Sequence, residues 1–183
     1  MRIGFAGLGV MGAPMARHLL AAGHEVAGYN RSAEKAAAWA EATGGTAVET
    51  PQAAAEHAEL FILCVGNDDD VRQVVTAALD TAPSGCVFVD HTTTSARLAR
   101  EMGELVRGWD CAFVDAPVSG GQAGAENGQL SVMAGGEAEA LAKAMSALQA
   151  YSKAVQHMGP VGSGQLTKMV NQICIAGVVQ GLA

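Results

Sequence analysis

The sequence is short of aromatic and basic residues, and each shortage excludes a class of structure or partner. Aromatic residues make up only 4% of its 183 positions, so alanine, valine and leucine must fill most of the interior. Lysine and arginine together number 11 against 18 acidic residues, which gives a formal net charge of −7. A nucleic acid or an anionic membrane surface needs a basic face, so neither is expected as a partner. No apolar run reaches the roughly 18 residues that a membrane span requires.

Cysteine and histidine are also sparse, and their spacing does not indicate disulfides or a metal site. The four cysteines, Cys64, Cys86, Cys111 and Cys174, form no C-x-x-C pair. Three of them stand in apolar runs, which favours buried, reduced thiols and a cytoplasmic location. The five histidines lack the spacing of metal ligands, so no metal is expected. The first residues lead directly into a predicted strand, which argues against a signal peptide.

Short apolar runs alternate with alanine-rich segments along the chain, a pattern typical of α/β proteins. Strands are predicted at Arg2–Ala6, Glu25–Tyr29, Leu60–Val65, Cys86–Asp90, Ala112–Asp115, Gln129–Ala134 and Ala154–Met158. Helices are predicted at Ala13–Ala22, Ser32–Thr43, Gln52–Glu56, Asp69–Ala78, Ser95–Arg107 and Ala138–Gln149. The alternation predicts an α/β fold with a Rossmann-type, doubly wound and mainly parallel sheet and right-handed crossovers.

A glycine motif directly follows the first predicted strand. Its residues have the spacing G-x-G-x-x-G and are Gly7, Leu8, Gly9, Val10, Met11 and Gly12. Gly7 permits a tight turn, Gly9 lets a pyrophosphate approach the backbone, and Gly12 lets the next helix pack closely. The N-terminal N–H groups of that helix would face the phosphates. Because a strand precedes the motif and a helix follows it, a dinucleotide site is favoured over an ordinary glycine-rich turn.

The second predicted strand is followed by Asn30, Arg31 and Ser32, which bear on the choice of cofactor. NAD-specific sites carry an acidic residue here, which accepts a hydrogen bond from the ribose 2′-hydroxyl. Asn30 has no charge to repel a 2′-phosphate, and the guanidinium group of Arg31 could bind one. The sequence therefore predicts NADP, with NAD as the alternative cofactor. A second interpretation of Arg31 is a solvated side chain at the start of a helix.

Two polar segments follow the next predicted strands. Asp68, Asp69 and Asp70 could suggest a cation site, but the N-cap and first turn of a helix explain them better. The segment from Asp90 to Ser95 reads as another turn and N-cap, from which a threonine hydroxyl could reach the nicotinamide half of the cofactor. His91 is expected there as a loop residue rather than as a catalyst.

A third loop begins after Asp115 and contains Ser119, Gly120 and Gly121. Consecutive glycines after a strand can expose backbone N–H groups, which form a natural cradle for a small carboxylate. The hydroxyl group of Ser119 would add one more donor. An ordinary glycine-rich turn is the alternative.

A glycine-rich segment from Gly159 to Gly164 opens the last predicted helix, which carries Lys168. Asn171 and Gln172 follow three and four residues later and therefore share a helical face with it. A lone lysine on a helix is usually a solvated charge, but this one directly precedes the most apolar stretch of the chain. A helix that is apolar on every side needs cover, so we expect the sequence to continue beyond Ala183.

Taken together, these motifs resemble the β-hydroxyacid dehydrogenase family, which includes 3-hydroxyisobutyrate dehydrogenases and tartronate semialdehyde reductases. The cofactor motif spans Gly7 to Ala16, the substrate motif spans Asp115 to Gly121, and the catalytic motif spans Gly159 to Gln172. The resemblance implies that Lys168 is the catalytic acid/base. It implies that Ser119, Gly120, Gly121, Asn171 and Gln172 bind the substrate, although many relatives have asparagine at the last position. It also implies cofactor contacts from Cys64, Val65, Asp69 and Thr93.

The resemblance further implies residues 1–161 as an NADP-binding domain and residues 162–183 as the start of a long interdomain helix. Members of the family carry a further, all-helical domain that closes the site and builds a homo-oligomer, and this chain lacks that domain. The expected activity is the interconversion of a small β-hydroxy acid and its semialdehyde, and this chain alone is expected to be inactive. An imine reductase-like enzyme and a non-catalytic cofactor-binding or assembly module are the alternatives.

Overall fold

A computed structural model describes all residues, 1–183, as a nine-stranded sheet with eight helices. The strands are β1 (Arg2–Ala6), β2 (Glu25–Tyr29), β3 (Thr46–Val48), β4 (Leu60–Leu63), β5 (Val87–Asp90), β6 (Ala112–Asp115), β7 (Val118–Ser119), β8 (Leu130–Gly135) and β9 (Ser152–Gly159). The helices are α1 (Gly12–Ala21), α2 (Ala33–Thr43), α3 (Pro51–Ala55), α4 (Asp68–Leu79), α5 (Ala96–Arg107), α6 (Gly121–Glu126), α7 (Ala138–Gln149) and α8 (Ser163–Leu182).

The order of the strands is β3-β2-β1-β4-β5-β6-β8-β7, and β9 pairs with β8. The strands from β3 through β6 in this order are all parallel. Two strands run against them: β8 is antiparallel to β6 and β7, and β9 is parallel to β8. Since the chain builds β2 and β3 on one side of β1 and then β4 on the other, the order reverses between β1 and β4. The predicted α/β class and mainly parallel, Rossmann-type sheet are confirmed.

The sheet carries a hydrophobic core on each face. Neighbouring strand residues point to opposite faces, so Leu60 and Ile62 of β4 join one core while Phe61 and Leu63 join the other. Helices α1, α2 and α7 complete the first core, and helices α3, α4 and α5 complete the second. Burial of one large apolar side chain stabilises the fold by about 1.5–3 kcal/mol, so the helices packed on both faces stabilise the sheet.

Three short elements are absent from the sequence-based prediction. The strands β3 and β7 span three and two residues, too few for a period of two to be visible. Helix α6 carries Gly121 and Gly124, which weaken its helical signal. Helix α6 affects the predicted substrate site, because Gly121 is the first residue of this helix rather than part of a longer loop.

Helix α8 differs from the others in how little of it the sheet covers. Within its 20 residues only Gly164, Gln165 and Lys168 are buried. The large apolar side chains that follow are exposed: Val170, Ile173, Ile175, Val178, Val179 and Leu182. Crossing a membrane takes a helix that is both long and apolar, and none of the eight helices meets both requirements.

Candidate cofactor and substrate site

A cavity of about 690 Å³ opens where β1, β2 and β4 end, at the point where the strand order reverses. Most of the predicted cofactor residues line it: Gly7, Gly9, Val10, Met11, Gly12, Asn30, Arg31, Ser32, Cys64 and Val65. The reversal point of an open α/β sheet is where such folds bind ligands. The fold therefore brings three separate turns together around one space.

The glycine turn has the geometry that its spacing predicts. Gly7 has a φ of +99°, and a Cβ atom there would collide with the carbonyl oxygen of Cys64. A Cβ atom on Gly12 would collide with the carbonyl oxygen of Gly7, so α1 packs directly against the turn. Gly9 has no protein atom within 4 Å of the corresponding position. Protein packing does not require glycine there, and the open space belongs to the cavity.

The two side chains that follow β2, Asn30 and Arg31, differ in how they are held. Asn30 is engaged within the protein: its Oδ1 accepts from the N–H of Leu8 at 3.0 Å, and its Nδ2 donates to the carbonyl of Ser32 at 3.1 Å. It thereby ties the glycine turn to the start of α2. Arg31 is 87% exposed, and its Nη1 lies 3.4 Å from Oδ1 of Asp70. The guanidinium group is therefore only loosely held.

The aspartates after β4 form the first turn of α4. Asn67 is the N-cap, and its Oδ1 accepts from the N–H groups of Asp69 and Asp70. Negative charge is favourable at this end of a helix dipole. No group of three or more His, Cys, Asp or Glu residues could hold a metal ion. Asp69 pairs with Arg72 at 2.9 Å and does not line the cavity, whereas Asp70 does.

The segment after β5 is held by buried contacts. The Oγ1 atom of Thr92 accepts from the N–H of Val65 at 3.0 Å, while Thr93, the predicted cofactor contact, is exposed. The Oδ1 atom of Asp90 accepts from the N–H of Thr92 at 2.8 Å, but Oδ2 has no partner. Burial raises the pKa of Asp90 to about 7. A buried carboxyl group therefore lies directly beneath this loop.

His91 occupies a buried structural position. One ring nitrogen, Nδ1, lies 2.6 Å from the carbonyl oxygen of Ala116, and Nε2 lies 2.7 Å from the hydroxyl of Tyr151. Burial lowers the pKa of His91 to about 4, so the imidazole is neutral at pH 7. Because a carbonyl oxygen only accepts, Nδ1 carries the proton and Nε2 accepts from the tyrosine. His91 thus links β5 to the segment before β9.

The start of α8 is anchored by a carboxylate that the sequence did not single out. The two oxygens of Asp115 accept from the N–H groups of Gly162 and Gln165, at 2.6 and 2.8 Å. Gln165 in turn donates to the carbonyl of Thr92 at 2.7 Å and accepts from the N–H of Thr94 at 3.1 Å. Burial raises the pKa of Asp115 to about 6, although these N–H donors favour the charged form. The ends of β5 and β6 are thereby fastened to α8.

Lys168 reaches from α8 to the strand that carries Ser119. Its Nζ donates to the carbonyl of Val118 at 2.9 Å. Ser119 is the last residue of β7, and Gly120 with a φ of +132° leads into Gly121 at the start of α6. Lys168 is only 9% exposed, and burial lowers the pKa of its ammonium group. A desolvated cation thus lies beside the predicted carboxylate cradle.

The remaining predicted substrate residues lie on α8. Asn171 is half-buried, and its Nδ2 is enclosed without a hydrogen-bond partner. One amide donor therefore remains free one helical turn beyond Lys168. Gln172 is exposed to solvent.

Eleven further residues line the cofactor cavity without having been predicted as cofactor contacts, and they include Tyr29, Lys35 and Asp70. The spacing of four residues between Arg31 and Lys35 is a signal for the lysine, since it brings two cations to one side of a helix start. No comparable signal marks Asp70, because its approach to Arg31 depends on how α4 packs beside β2.

The reversing parallel sheet, the glycine turn and the cavity above it define a dinucleotide-binding α/β domain. Residues 2–159 match the family described as the NAD binding domain of 6-phosphogluconate dehydrogenase, and the chain belongs to that family. An uncharacterized oxidoreductase from Shewanella frigidimarina (strain NCIMB 400) is 53% identical over 185 residues, which cover 100% of this chain and 64% of the relative. The chain thus spans less than two-thirds of that relative.

Solved structures extend the comparison. 3-Hydroxyisobutyrate dehydrogenase from Mycobacterium tuberculosis with L-serine gives a TM-score of 0.92 at 34% identity, covering 95% of this chain and 60% of that one. Psf3 in complex with NADP+ and 2-OPP gives 0.88 at 28% identity, with coverages of 98% and 67%. A Streptomyces aurantiacus imine reductase gives 0.89 at 25% identity, with coverages of 98% and 63%. These comparisons confirm the resemblance to the β-hydroxyacid dehydrogenase family, and the relatives named include a dehydrogenase and a reductase.

Proposed function

We propose that the protein to which this chain belongs is an NADP(H)-preferring oxidoreductase that interconverts a small β-hydroxy acid and its semialdehyde. The observation that carries the proposal is the hydrogen bond from Lys168 Nζ to the carbonyl of Val118. It brings a partly desolvated amino group, which can give or take a proton, next to Ser119 and the glycines that follow. Lys168 and Val118 are 50 residues apart in the sequence, so the fold brings the proposed proton donor next to the proposed carboxylate cradle.

Lys168 serves as the general acid/base in this proposal. As ammonium it donates a proton to the carbonyl oxygen during reduction, and as free amine it accepts the hydroxyl proton during oxidation. The bound nicotinamide cofactor supplies or accepts the hydride. Desolvation, which lowers the pKa of Lys168, brings the two protonation states closer in free energy near neutral pH.

The substrate carboxylate is held by the Ser119 hydroxyl and by backbone N–H groups around Gly120 and Gly121. Asn171 contributes its free amide donor, since Nδ2 has no partner within the chain. Gln172, which is exposed, contacts substrate only once another part of the protein covers α8. Fixed positioning of the reacting carbon by these groups matters as much as proton transfer.

The proposed preference for NADP(H) rests on Arg31 and Lys35, two cations at the edge of the cavity. Asn30 adds no negative charge where NAD-specific sites carry an acid. Psf3, a structural relative, is described in complex with NADP+. NAD(H) remains the alternative cofactor, and we retain Cys64, Val65, Asp69 and Thr93 as further proposed cofactor contacts.

The proposal extends to the whole protein. Curated relatives are longer than this chain, and the apolar side chains of α8 are exposed. We infer that residues 1–161 form the cofactor domain and that α8 leads into a second domain, which excludes water from the site and forms a homo-oligomer. The cysteines are free thiols, which agrees with a cytoplasmic protein.

Two alternatives share the scaffold. Imine reductases have this fold, as the Streptomyces aurantiacus structure illustrates, so fold alone does not discriminate. A buried lysine beside a carboxylate cradle favours hydroxy-acid chemistry over imine reduction. A non-catalytic cofactor-binding or assembly module would not need that lysine, but the chain alone, without a second domain, would behave as one.

Turnover by the longer protein tests these alternatives. We would follow NADPH formation with NADP+ and a panel of short β-hydroxy acids, and NADPH loss with cyclic imines. Oxidation of at least one hydroxy acid supports the proposal, and the matching alcohol without a carboxylate is the control. Activity on imines alone would contradict the proposal and favour an imine reductase. Binding of NADPH without any turnover would favour the non-catalytic module.

A further inference from the structure

The acidic residue that NAD-specific sites place after β2 is missing from the sequence, but a carboxylate from another element stands beside Arg31. Asp70 in the first turn of α4 lines the same cavity as Arg31, and its Oδ1 lies 3.4 Å from the Arg31 Nη1. Asn30, which follows β2, cannot take this role because both its amide atoms bind the backbone of the protein.

Asp70 is less exposed than Arg31, and its backbone is held at the start of α4. Its side chain is 25% exposed against 87% for the arginine, and its N–H donates to Oδ1 of Asn67 at 3.0 Å. Gly66 lies so close that a Cβ atom there would collide with the Asp70 carboxylate. The carboxylate therefore extends from a helix start whose backbone the N-cap holds, and it is less exposed than the guanidinium group.

We propose that Asp70 is a specificity-determining residue of the cofactor site. Its carboxylate reduces the preference for NADP(H) over NAD(H) that Arg31 creates. A 2′-phosphate bound by Arg31 competes with Asp70 for the guanidinium group and lies near the negative charge of the carboxylate. A 2′-hydroxyl carries no charge and can donate a hydrogen bond to a carboxylate. The inference rests on the proposed function, because it presupposes that Arg31 faces the adenosine ribose.

The size of the effect follows from the exposure of the pair. An exposed ion pair is worth little, and repulsion of a phosphate across the edge of a solvated cavity is of the same order. Removing the carboxylate charge should therefore tighten NADPH binding by about three- to tenfold. Binding of NADH should stay the same or weaken, because only the 2′ position differs.

The test is direct titration of the chain with NADPH and NADH, and with the fragments 2′,5′-ADP and 5′-AMP, which differ only in the 2′-phosphate. Asp70→Asn is the variant, since it keeps the backbone hydrogen bond to Asn67 and the shape of the side chain. Asp80→Asn is the matched control: it removes the same charge from the exposed C-terminal end of the same helix, outside the cavity. Asp70→Glu restores the charge.

We expect the affinity ratio of NADPH to NADH to rise at least threefold in Asp70→Asn, with the same trend for the fragments. This ratio should stay within twofold of the unsubstituted chain in Asp80→Asn and return towards that value in Asp70→Glu. An unchanged ratio in Asp70→Asn, or an equal rise in Asp80→Asn, would overturn the inference.

The proposed function is examined separately by Arg31→Ala. Loss of the NADPH preference in that variant supports the role of Arg31 whatever Asp70 does. In the Arg31→Ala background, Asp70→Asn should have a smaller effect, because there is no longer an arginine to release. An equal effect in both backgrounds would assign Asp70 a repulsive role only and overturn the part of the inference that involves the ion pair.

Discussion

At the scale of single residues, Lys168 combines a buried amino group with a neutral hydrogen-bond partner. The carbonyl of Val118 fixes the direction of Nζ but does not compensate its charge as a carboxylate would. Burial accordingly lowers the pKa of the ammonium group. A group of this kind gives and takes a proton more readily than a solvated lysine.

Substitution of Lys168 by alanine in the longer protein should reduce kcat by about two to four orders of magnitude, the usual contribution of a positioned acid/base. NADPH affinity should barely change, because the lysine serves the substrate. Steady-state kinetics and NADPH titration measure the two effects. Lys168→Arg is the matched control, since it keeps the charge but does not release a proton. Near-normal turnover in the alanine variant would refute the catalytic role.

The position of Arg31 leads to a separate prediction about the affinities for NADPH and NADH. Charge-assisted hydrogen bonds to a phosphate contribute roughly 1.5–3 kcal/mol, or about ten- to a hundredfold in affinity. Arg31→Ala should erase most of any preference for NADPH and leave NADH affinity unchanged, as measured by titration calorimetry. If the unsubstituted chain binds both cofactors equally, Arg31 is only a solvated residue.

Asp90 predicts how stability depends on pH. Its pKa rises from an ordinary value of 3.8 to about 7 in the fold because of burial. A raised folded-state pKa favours the fold most below pH 4, and this contribution is lost as the pH rises through 7. Each unit of pH in this window weakens the contribution by up to about 1.4 kcal/mol. The protein should therefore lose stability between about pH 4 and pH 7 relative to Asp90→Asn, which keeps the acceptor for Thr92.

Urea denaturation of both proteins at several pH values measures this difference. His91 has the opposite effect, because burial lowers its pKa to about 4, but it is present in both proteins. The difference between them therefore isolates Asp90. Asp69→Asn, at an exposed position, controls for the loss of a charge. Parallel stability curves for Asp90→Asn and the unsubstituted chain would contradict the prediction.

At the scale of elements, α8 is positioned by its first turn rather than by its length. Asp115 accepts from two N–H groups at the start of the helix, and Gln165 bonds to the loop after β5. Gly164 leaves no room for a Cβ atom between the backbone of Asp115 and that of Met133. The direction of Lys168 is therefore set at the ends of β5 and β6.

Removal of this anchor should loosen α8 selectively. In Asp115→Ala the N–H groups of Gly162 and Gln165 lose their acceptors, at a cost of about 1–3 kcal/mol for each buried group left unpaired. Hydrogen exchange should accelerate at those amides more than in β1 or β4, with a lower free energy of unfolding in urea. Asp69→Ala, in the exposed first turn of α4, is the control. Unchanged protection at the start of α8 would contradict the anchoring role.

At the scale of the whole molecule, the apolar half of α8 has no cover within the chain. Val170 is 61% exposed, and Leu182 at the end of the helix is 84% exposed. Contiguous apolar surface of this kind marks an interface, because soluble monomers rarely expose it. A second domain or a second copy of the chain would bury it.

The chain by itself should therefore self-associate through α8. Each buried large apolar side chain contributes about 1.5–3 kcal/mol, so Ile173→Ser combined with Val178→Ser should shift the chain towards monomer. Sedimentation velocity at several concentrations measures the change, and Ala176→Ser is the control on the same helix. A chain that remains monomeric at high concentration without any substitution would contradict the prediction.

Some features of this protein follow from the sequence alone because they depend on neighbours along the chain. Periodicity predicted β1 at Arg2–Ala6 and β2 at Glu25–Tyr29, and both bounds are those of the structure. The turn at Gly7 to Gly12 was predictable for the same reason, since spacing, preceding strand and following helix all lie within about twenty residues. The fold class and the glycine turn of the cofactor site follow from these local patterns.

Other features were decided only when distant elements packed together. The sequence could select Lys168 but not its hydrogen bond to Val118, nor the anchoring of its helix by Asp115. The resemblance implied a cofactor contact around Asp69, and the structure shows that the next residue, Asp70, lines the cavity. Adjacent residues on a helix differ by about 100° in direction, so only the packing of α4 decides which one faces Arg31. Local spacing fixes which elements form, and the contacts between them fix which side chains meet.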